Sequence, residues 1–277
     1  MKKDVKILVC THKKDVQLPS SPLYLPVQVG AALTDIHWDI QRDDDGADNI
    51  SLKNRFYSEL SAHYWAWKNL ENIDIIGLAH YRRYLNLNNV DKICKILDKH
   101  DIILPNPLIL PFSNIHNLQE VLTREDVYIM MACLKKLYPN YIPSANKYLM
   151  CSNRNVCCNM FITSKEIFDS YSKWLFDILF ETEKYVRLSG YTRMKRIFGY
   201  YSEVLLPIYV MHNKLNVRYV SMIDFPKSHP TMLKRFLIKG KNLRNNICFI
   251  LMWPHQKEYY PPASTVTSMK IDQLPEY

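Results

Sequence analysis

Short apolar runs alternate with amphipathic stretches along this chain, and the alternation predicts strands followed by helices. The apolar runs are brief and rich in β-branched residues, which is typical of strands buried in a sheet. The predicted strands are Lys6–Cys10, Ile73–Ala79, Asp101–Leu104 and Val156–Ile162. Prolines at positions 19, 22 and 26 predict a loop after the first strand, and the segment 35–50 predicts another loop.

Helical periodicity fills much of the chain between these strands. Phe56, Leu60, His63 and Trp67 repeat with the spacing of one helix face, and Ser51 stands where an N-cap is expected. Further helices are predicted at 91–100, at 126–137, after Ser164 and from Ser202–Glu203 onwards. The pattern contains no internal repeat. It predicts an α/β fold, with a mixed, mainly parallel sheet flanked by helices in a single domain of residues 1–225.

Composition places the chain among globular proteins and excludes several enzyme classes. Hydrophobic residues make up 48% and charged residues 23% of the 277 residues. There are only six glycines, and neither GxGxxG nor GxxxxGK[ST] occurs, which argues against a dinucleotide-binding dehydrogenase and a P-loop enzyme. The seven cysteines form no CxxC pair, and the first residues resemble no signal peptide, so free thiols in a reducing cytoplasm are expected.

The net charge of +9 is concentrated partly in the predicted basic, partly apolar appendage at 226–277. Six basic residues and no acidic one occur between positions 227 and 244, and the apolar stretch Asn246–Trp253 follows. This order favours contact with a membrane surface, with a buried terminal helix or strand as the alternative. No run of 18 apolar residues occurs, so no spanning helix is expected. Nucleic-acid binding is not expected, because the aromatic residues lie mainly outside this basic segment.

The clearest candidate site is the end of the second predicted strand, where the chain reads His80-Tyr81-Arg82-Arg83. Ligands in open α/β sheets bind beyond the carboxyl ends of the strands. Arginine forks match phosphate oxygens two at a time. These residues therefore favour an anion site, with a diphosphate as the expected anion and an exposed basic strand end as the alternative.

Three further features leave two interpretations each. Asn159 interrupts an apolar strand, so its amide either bonds to the backbone or faces a sugar hydroxyl. Glu203 is either a carboxylate that complements a helix dipole or a general base. Asp43, Asp44 and Asp45, beside Gly46, form either an acidic turn or a weak alternative site for a hard cation.

Several blocks of this sequence resemble a bacterial family from capsule and O-antigen gene clusters, long catalogued as a domain of unknown function and regarded as glycosyltransferase-like. The resemblance covers roughly residues 5–220. Its most specific blocks are Tyr64-Trp65-Ala66-Trp67-Lys68-Asn69 and His80-Tyr81-Arg82-Arg83-Tyr84. Supporting blocks are Thr11-His12-Lys13, Asp48-Asn49-Ile50-Ser51, Tyr57-Ser58-Glu59-Leu60, Asn159-Met160-Phe161-Ile162 and Arg196-Ile197-Phe198-Gly199-Tyr200.

The resemblance implies a GT-A-like fold and a glycosyltransferase that uses a nucleotide-sugar donor. Many enzymes of that fold carry Asp-x-Asp, a metal-binding motif, where this chain has His80-Tyr81-Arg82. Fixed cations are therefore expected to replace the metal, and no cofactor is expected. Arg82 and Arg83 are the implied catalytic cations, because they would neutralise the diphosphate leaving group.

The same resemblance assigns roles to other residues. Thr11, His12 and Lys13 are expected to meet the uridine or its ribose, and Asn159 the donor sugar. Glu203 is expected to activate the acceptor hydroxyl.

Other blocks imply less specific roles. His80, Tyr81 and Arg196 are further expected donor-binding residues. Glu59 and Lys68 are expected either to line the same cleft or to form a structural ion pair.

The gene clusters implied by the resemblance also suggest the substrates. The donor is expected to be a UDP-sugar, with galactose in pyranose or furanose form as the hexose. The acceptor is expected to be a lipid-linked glycan. The protein is accordingly expected in the cytoplasm, peripherally at the inner face of the cell membrane, with a non-catalytic sugar-binding protein as the alternative.

Overall fold

A computed structural model of the chain describes residues 3–14, 21–188, 195–224 and 232–252. It confirms the predicted fold class, because a mixed, mainly parallel sheet is flanked by helices. The chain divides into two compact units. The first unit comprises 1–106, 157–173 and 214–229, and the second comprises 107–156, 174–213 and 230–277. The predicted boundary at residue 225 lies outside the described residues and stays a prediction.

Eleven strands occur in the described part of the chain. In chain order they are β1 (Val5–Thr11), β2 (Tyr24–Gln28), β3 (Gln41–Arg42), β4 (Ile75–His80), β5 (Arg83–Leu85), β6 (Ile102–Pro105), β7 (Leu108–Ile109), β8 (Arg154–Asn155), β9 (Phe161–Ser164), β10 (Val217–Val220) and β11 (Met222–Asp224). Strands β7 and β8 pair with each other in the second unit, and the other nine form the sheet of the first unit.

The order of the large sheet brings most strand ends to one edge. The order is β10-β6-β9-β4-β1-β2-β3, with β5 paired to β4 and β11 paired to β5. Strands β3, β2, β1 and β4 are parallel to one another. Strand β9 is antiparallel to both β4 and β6, and β10 is parallel to β6. All these strands except β5 and β9 therefore end at the same edge, which we call the carboxyl edge.

Strand β2 shows that the predicted loop after β1 was partly wrong. The backbone of β2 bonds to β1 through alternate residues, since Ile7 N donates to Leu23 O and Val29 N donates to Thr11 O. Pro26 falls between these bonding positions, so its nitrogen faces away from β1. Strand β3 pairs only with the last two residues of β2. The missing N–H of Pro26 therefore costs no ladder bond, and a proline is tolerated in the strand.

Nine α-helices occur in the described residues. They are α1 (Asn54–Tyr57), α2 (Leu60–Asn69), α3 (Val90–Leu97), α4 (Asn114–Gln119), α5 (Arg124–Leu137), α6 (Ile142–Cys151), α7 (Lys165–Glu183), α8 (Ile197–His212) and α9 (Met232–Met252). Short 3₁₀ turns cover Ala31–Leu33, Ser51–Lys53 and Pro139–Tyr141. No helix in these ranges has both the length and the apolar composition needed to cross a membrane.

The helix predicted from Leu52 onwards is interrupted. Ser58 has a φ of 53°, which ends α1, and α2 begins at Leu60. The side-chain amide of Asn54 stabilises the segment between α1 and α2 by donating to Ser58 O at 2.7 Å and to Ser61 Oγ at 2.8 Å. Leu60 and His63 are buried, but so are all residues between Leu60 and Ala66, so the first two turns of α2 are buried on every side rather than along one stripe. Burial lowers the pKa of His63 to about 3, so its ring is neutral in the folded protein.

Both faces of the large sheet are covered, as the alternation of side chains along β1 requires. Ile7 and Val9 pack into a cluster that includes Ile93 of α3. Cys10 points to the opposite face, where its Sγ lies 3.9 Å from the backbone oxygen of Glu59 at the beginning of α2. Burial raises the pKa of the Cys10 thiol, with help from the nearby carboxylates.

The second unit is mainly helical. Helix α5 begins with a capping box in which the side chains of Thr123 and Asp126 each bond to the backbone of the other residue. Tyr201 of α8 donates to Asp126 O at 2.9 Å, which joins α8 to the beginning of α5. Helix α8 begins at Ile197 rather than at Ser202, so Glu203 lies in its second turn and not at its start.

Gly77 in the middle of β4 gives a direct test of sheet packing. A methyl group at this position would lie 2.8 Å from both Ile162 Cγ1 and the backbone oxygen of Phe161. Because β9 must shift to admit it, we expect Gly77→Ala to lower the free energy of unfolding by about 1–3 kcal/mol. Gly240→Ala is the matched control, since nothing lies within 4 Å of the added methyl in α9. Urea unfolding of both variants measures the difference, and equal midpoints would contradict the packing.

Candidate functional site

The carboxyl edge brings together the residues that follow β1 and β4. Cys10 of β1 is opposite His80 of β4, and Tyr81 N donates to Cys10 O at 3.1 Å. The segment after β1 is held by Thr11, whose hydroxyl donates to Lys13 O at 2.9 Å and accepts from Lys13 N at 3.2 Å. Two candidate segments that are about 70 positions apart in sequence are therefore adjacent in the first unit.

Tyr81 connects the two segments through its ring. His12 packs edge-on against it with 5.4 Å between ring centroids. The guanidinium carbon of Arg82 lies 5.2 Å from the same ring, within the range of a cation–π contact. His12, Lys13 and Arg82 are all exposed. His12 and Arg82 therefore form an accessible pair on one aromatic ring, and the exposed Lys13 follows His12 in the chain; we call these three residues the basic cluster.

Arg83 lies at the start of β5 and has two anionic neighbours. Its Nη1 lies 3.3 Å from Cys158 Sγ, and its Nε lies 3.8 Å from Asp224 Oδ1. Both members of the Arg83–Asp224 pair are about half or more exposed, so water screens that attraction. Arg83 therefore remains accessible to an additional anion.

A strained turn before β9 lies against His80. Cys158 and Asn159 have φ values of 75° and 48°, in the left-handed region that is costly for residues other than glycine. His80 Nε2 donates to Cys158 O at 2.7 Å, and Asn159 Nδ2 donates to Glu59 Oε1 at 2.6 Å. We call Cys158 and Asn159 the 158–159 turn. Strand β9 begins only at Phe161, so the predicted strand start at Val156 was wrong.

Glu59 and Asn159 are almost fully buried, and the side-chain amide of Asn159 donates to the Glu59 carboxylate. His80 Nε2 lies 3.9 Å from the same carboxylate oxygen, and His80 itself is partly buried. These three residues form a polar group that supports the 158–159 turn.

Cys158 was not among the candidate residues, although the adjacent Cys157 and Cys158 in the sequence were a visible signal. The two Sγ atoms lie 3.5 Å apart. The hydrogen bond with Cys157 is the largest cause that lowers the pKa of Cys158, to about 6, and the charges of His80 and Arg83 act in the same direction against burial. The surroundings of Cys158 therefore favour its thiolate form.

Asp43 follows β3 and has a structural role. Its buried carboxylate accepts hydrogen bonds from the backbone of Gly30 at 2.7 Å, from the backbone of Ala31 at 3.0 Å and from Ser51 Oγ at 2.6 Å. Asp44 and Asp45 bond to Arg42 instead. No three His, Cys, Asp or Glu side chains in the described ranges are grouped so that they could hold a metal ion.

Three further sequence candidates are not part of the segments described above. Lys68 Nζ lies 3.7 Å from Asp48 Oδ2 and 3.7 Å from the ring centroid of Trp67, at the opposite end of α2 from Glu59. Since nine residues of helix span about 13 Å, Glu59 and Lys68 form no ion pair with each other. Glu203 and Arg196 belong to the second unit. Arg196 precedes α8 with a φ of 89° and lies over the ring of Tyr200.

Removing the Asp43 carboxylate tests its structural role. Asp43→Ala leaves two buried backbone N–H groups and one hydroxyl without their acceptor. We expect a loss of at least about 3 kcal/mol in the free energy of unfolding, since each of the three groups costs about 1 kcal/mol or more. Asp45→Ala is the control, because that carboxylate is half-exposed. Thermal unfolding with EDTA and with Mn²⁺ completes the test. A metal-dependent rise in midpoint that Asp43→Ala abolishes would show a cation site instead.

Comparisons with known proteins agree with this architecture. No curated protein matches the chain. A solved structure described as the WbbM bifunctional glycosyltransferase in its apo form is similar, with 29% sequence identity and a TM-score of 0.74. The similarity covers 83% of this chain and 48% of the other, so this chain spans about half the length of that protein. The family described as "Domain of unknown function (DUF4422)" matches residues 6–214. Because this match includes most of the chain and the whole carboxyl edge of β1–β4, the protein belongs to the DUF4422 family.

Proposed function

We propose that this protein is a glycosyltransferase that moves a hexose from a UDP-sugar to a lipid-linked glycan acceptor. The similarity to the WbbM structure supports the reaction class. The observation that carries the donor assignment is the exposed pair of His12 and Arg82 on the Tyr81 ring, with the exposed Lys13 and Arg83 next to them in the chain. A diphosphate is the anion that best matches several cations at the carboxyl ends of adjacent parallel strands.

The proposed mechanism is electrostatic. As the bond between sugar and diphosphate breaks, negative charge grows on the leaving group. Arg82 and Arg83 lie at the edge of the sheet, where their positive charges would stabilise the leaving group. Arg83 is only weakly held by Asp224 at 3.8 Å, so a diphosphate can displace this neighbour. No divalent metal is required in this proposal.

The other candidate residues have supporting roles. His12 and Thr11 are proposed to contact the uridine, since they follow β1 at the same edge. Asn159 and Glu59 bond to each other, and we propose that they act on the donor by positioning the 158–159 turn. Glu203 is the proposed base for the acceptor hydroxyl. Galactose is the proposed sugar, and the gene-cluster type implied by the family resemblance is its only support.

Calorimetric titration with UDP and UDP-galactose tests the donor site. Wild-type protein is expected to bind UDP equally in EDTA and in Mn²⁺. Arg82→Ala is expected to weaken binding at least tenfold, because a hydrogen bond between charged groups contributes about 1.5–3 kcal/mol. Lys99→Ala is the control, since this exposed lysine precedes β6 at the opposite edge. Full binding by Arg82→Ala, or binding that requires Mn²⁺, would contradict the proposal.

We further propose that α9 holds the protein on an anionic membrane surface, where a lipid-linked acceptor would be found. Five large apolar side chains on one face of α9 are 50–73% exposed. They are Phe236, Leu243, Ile247, Ile250 and Leu251. Their spacing of 7, 11, 14 and 15 residues from the first places them within one stripe of the helix. A stripe of this kind facing outward marks an interaction surface.

The opposite face of α9 attaches the helix to the second unit. Asn245 is 3% exposed and its amide donates to Ile109 O at 2.7 Å. Asn153 Nδ2 donates to Asn246 Oδ1 at 3.0 Å. Lys239 and Arg244 border the outward apolar stripe on its two sides, and 232–252 contains no acidic residue. An apolar stripe bordered only by cations matches the interface of a bilayer with anionic lipids.

Vesicle sedimentation tests this surface. We expect binding to vesicles that contain phosphatidylglycerol and little binding to phosphatidylcholine alone. Replacing Lys239 and Arg244 by Gln is expected to weaken binding by about 2 kcal/mol, roughly 30-fold, at about 1 kcal/mol per cation. Replacing Leu243 and Ile247 by Gln removes the apolar contribution. The control is Leu52→Gln, an exposed leucine outside α9. Unchanged sedimentation of both double variants would exclude α9 as the membrane contact.

A further inference from the structure

Cys157 and Cys158 form a pair of thiols within the candidate site, and glycosyl transfer as proposed gives them no role. The Sγ atoms lie 3.5 Å apart. Cys158 Sγ also lies 3.3 Å from Arg83 Nη1, and the carbonyl of the same residue accepts from His80. One nucleophilic sulfur is therefore in contact with a second thiol and with a cation proposed to bind the donor diphosphate.

The pKa of Cys158 is shifted in the opposite direction from the pKa values of Cys10 and Cys133, the other two buried cysteines in the described residues. Burial raises the pKa of Cys133 to about 12 and also raises that of Cys10, so both remain neutral thiols. At Cys158 the hydrogen bond with Cys157 and the nearby positive charges outweigh burial, and its pKa falls to about 6. The thiolate is the nucleophilic form of cysteine. Cys158 is therefore mainly in its reactive form at neutral pH.

Access to this sulfur is narrow. Cys158 is 8% exposed, and Cys157 beside it is half-buried. The sulfur is in contact with the half-exposed Arg83 guanidinium. A small reagent is therefore the appropriate probe for this thiol.

We propose that Cys158 is a thiol-modification site at which a small disulfide reacts and thereby blocks anion binding at Arg83. The Cys158 thiolate attacks one sulfur of the disulfide R–S–S–R. The S–S bond of the reagent breaks, a mixed disulfide Cys158–S–S–R forms, and R–S⁻ leaves. The charge on Cys158 is lost and the group R occupies the space beside the guanidinium.

The mixed disulfide is expected to persist until an external thiol removes it. Cys157 is the nearest thiol that could displace R–S⁻ and close a disulfide with Cys158. Neighbouring residues have Cα atoms only about 3.8 Å apart, below the usual range of about 4.4–6.8 Å for disulfides. The internal disulfide is therefore strained, and an external thiol restores the free thiolate instead.

The first test measures the reaction rate of each cysteine. Methyl methanethiosulfonate is a small probe, and peptide mass spectrometry assigns the modified residue. We expect Cys158 to react before the exposed Cys151 at pH 7, with a half-maximal rate near pH 6. An ordinary thiol gains rate up to about pH 8.5. Arg83→Met should move the half-maximal pH of Cys158 upward. Earlier reaction of Cys151, or an unchanged profile in Arg83→Met, would overturn the site.

The second test connects the modification to anion binding and rests on the proposed function. Calorimetry with inorganic diphosphate is repeated on untreated, treated and dithiothreitol-restored protein. We expect at least tenfold weaker binding after treatment, recovery with dithiothreitol, and no effect of treatment on Cys158→Ser. Full binding by the treated wild type would refute the blocking effect and leave the donor site intact. Failure of the untreated protein to bind diphosphate or UDP would refute the donor site, while the rates still decide the thiol chemistry.

Discussion

Parallel hydrogen bonding between β1 and β4 is the constraint on which the candidate site depends. It places Cys10 opposite His80, so the segments that follow both strands emerge side by side. Because β2 and β3 run in the same direction, the turn after β2 and the acidic segment after β3 reach the same edge. A shift of one residue in this register would turn the side chains of β4 to the opposite face. Gly77 makes such a shift costly, since β9 lies too close for any side chain there.

Two buried acidic residues near the carboxyl edge of the first unit stabilise the fold through hydrogen bonds. Asp43 accepts hydrogen bonds from the buried backbone N–H groups of Gly30 and Ala31, and Glu59 accepts one from the side chain of Asn159. Both carboxylates are buried, and neighbouring hydrogen-bond donors compensate for their loss of water contact. His12, Lys13 and Arg82 are exposed at this edge, together with the carboxylates of Asp45 and Asp224. The buried acids serve the fold, and the exposed bases carry the proposed anion site.

The 158–159 turn links the fold to the chemistry of the site. Two consecutive residues in the left-handed region cost free energy, and the bonds from His80 and to Glu59 stabilise that conformation. The same geometry places a cysteine sulfur against Arg83. The hydrogen bonds that stabilise the 158–159 turn therefore also fix the position of the Cys158 sulfur. Any change in His80 or Glu59 acts on both.

Local patterns determined much of the architecture. The apolar runs at β1, β4 and β6 and the amphipathic periods of α5 and α7 were readable, because strand and helix periods depend on neighbouring residues. The position of His80 to Arg83 at a strand end followed from the same pattern. Beginnings of elements were less accurate, as β9 and α8 show. At both places a residue with positive φ precedes the element, and the side-chain pattern does not reveal backbone conformation.

Long-range pairing decided the rest. Pro26 indicated a loop, yet β2 is a strand. The nitrogen of Pro26 faces neither a bonding position of β1 nor the paired residues of β3, so no hydrogen bond is lost. Glu59 and Asn159 lie 100 positions apart, and their bond exists only because the sheet brings α2 and β9 together. The sequence by itself determined which segments are strands and helices and where basic residues follow them. Only the tertiary structure decided which acids are buried and which sulfur meets Arg83, because those outcomes depend on contacts between segments distant in the chain.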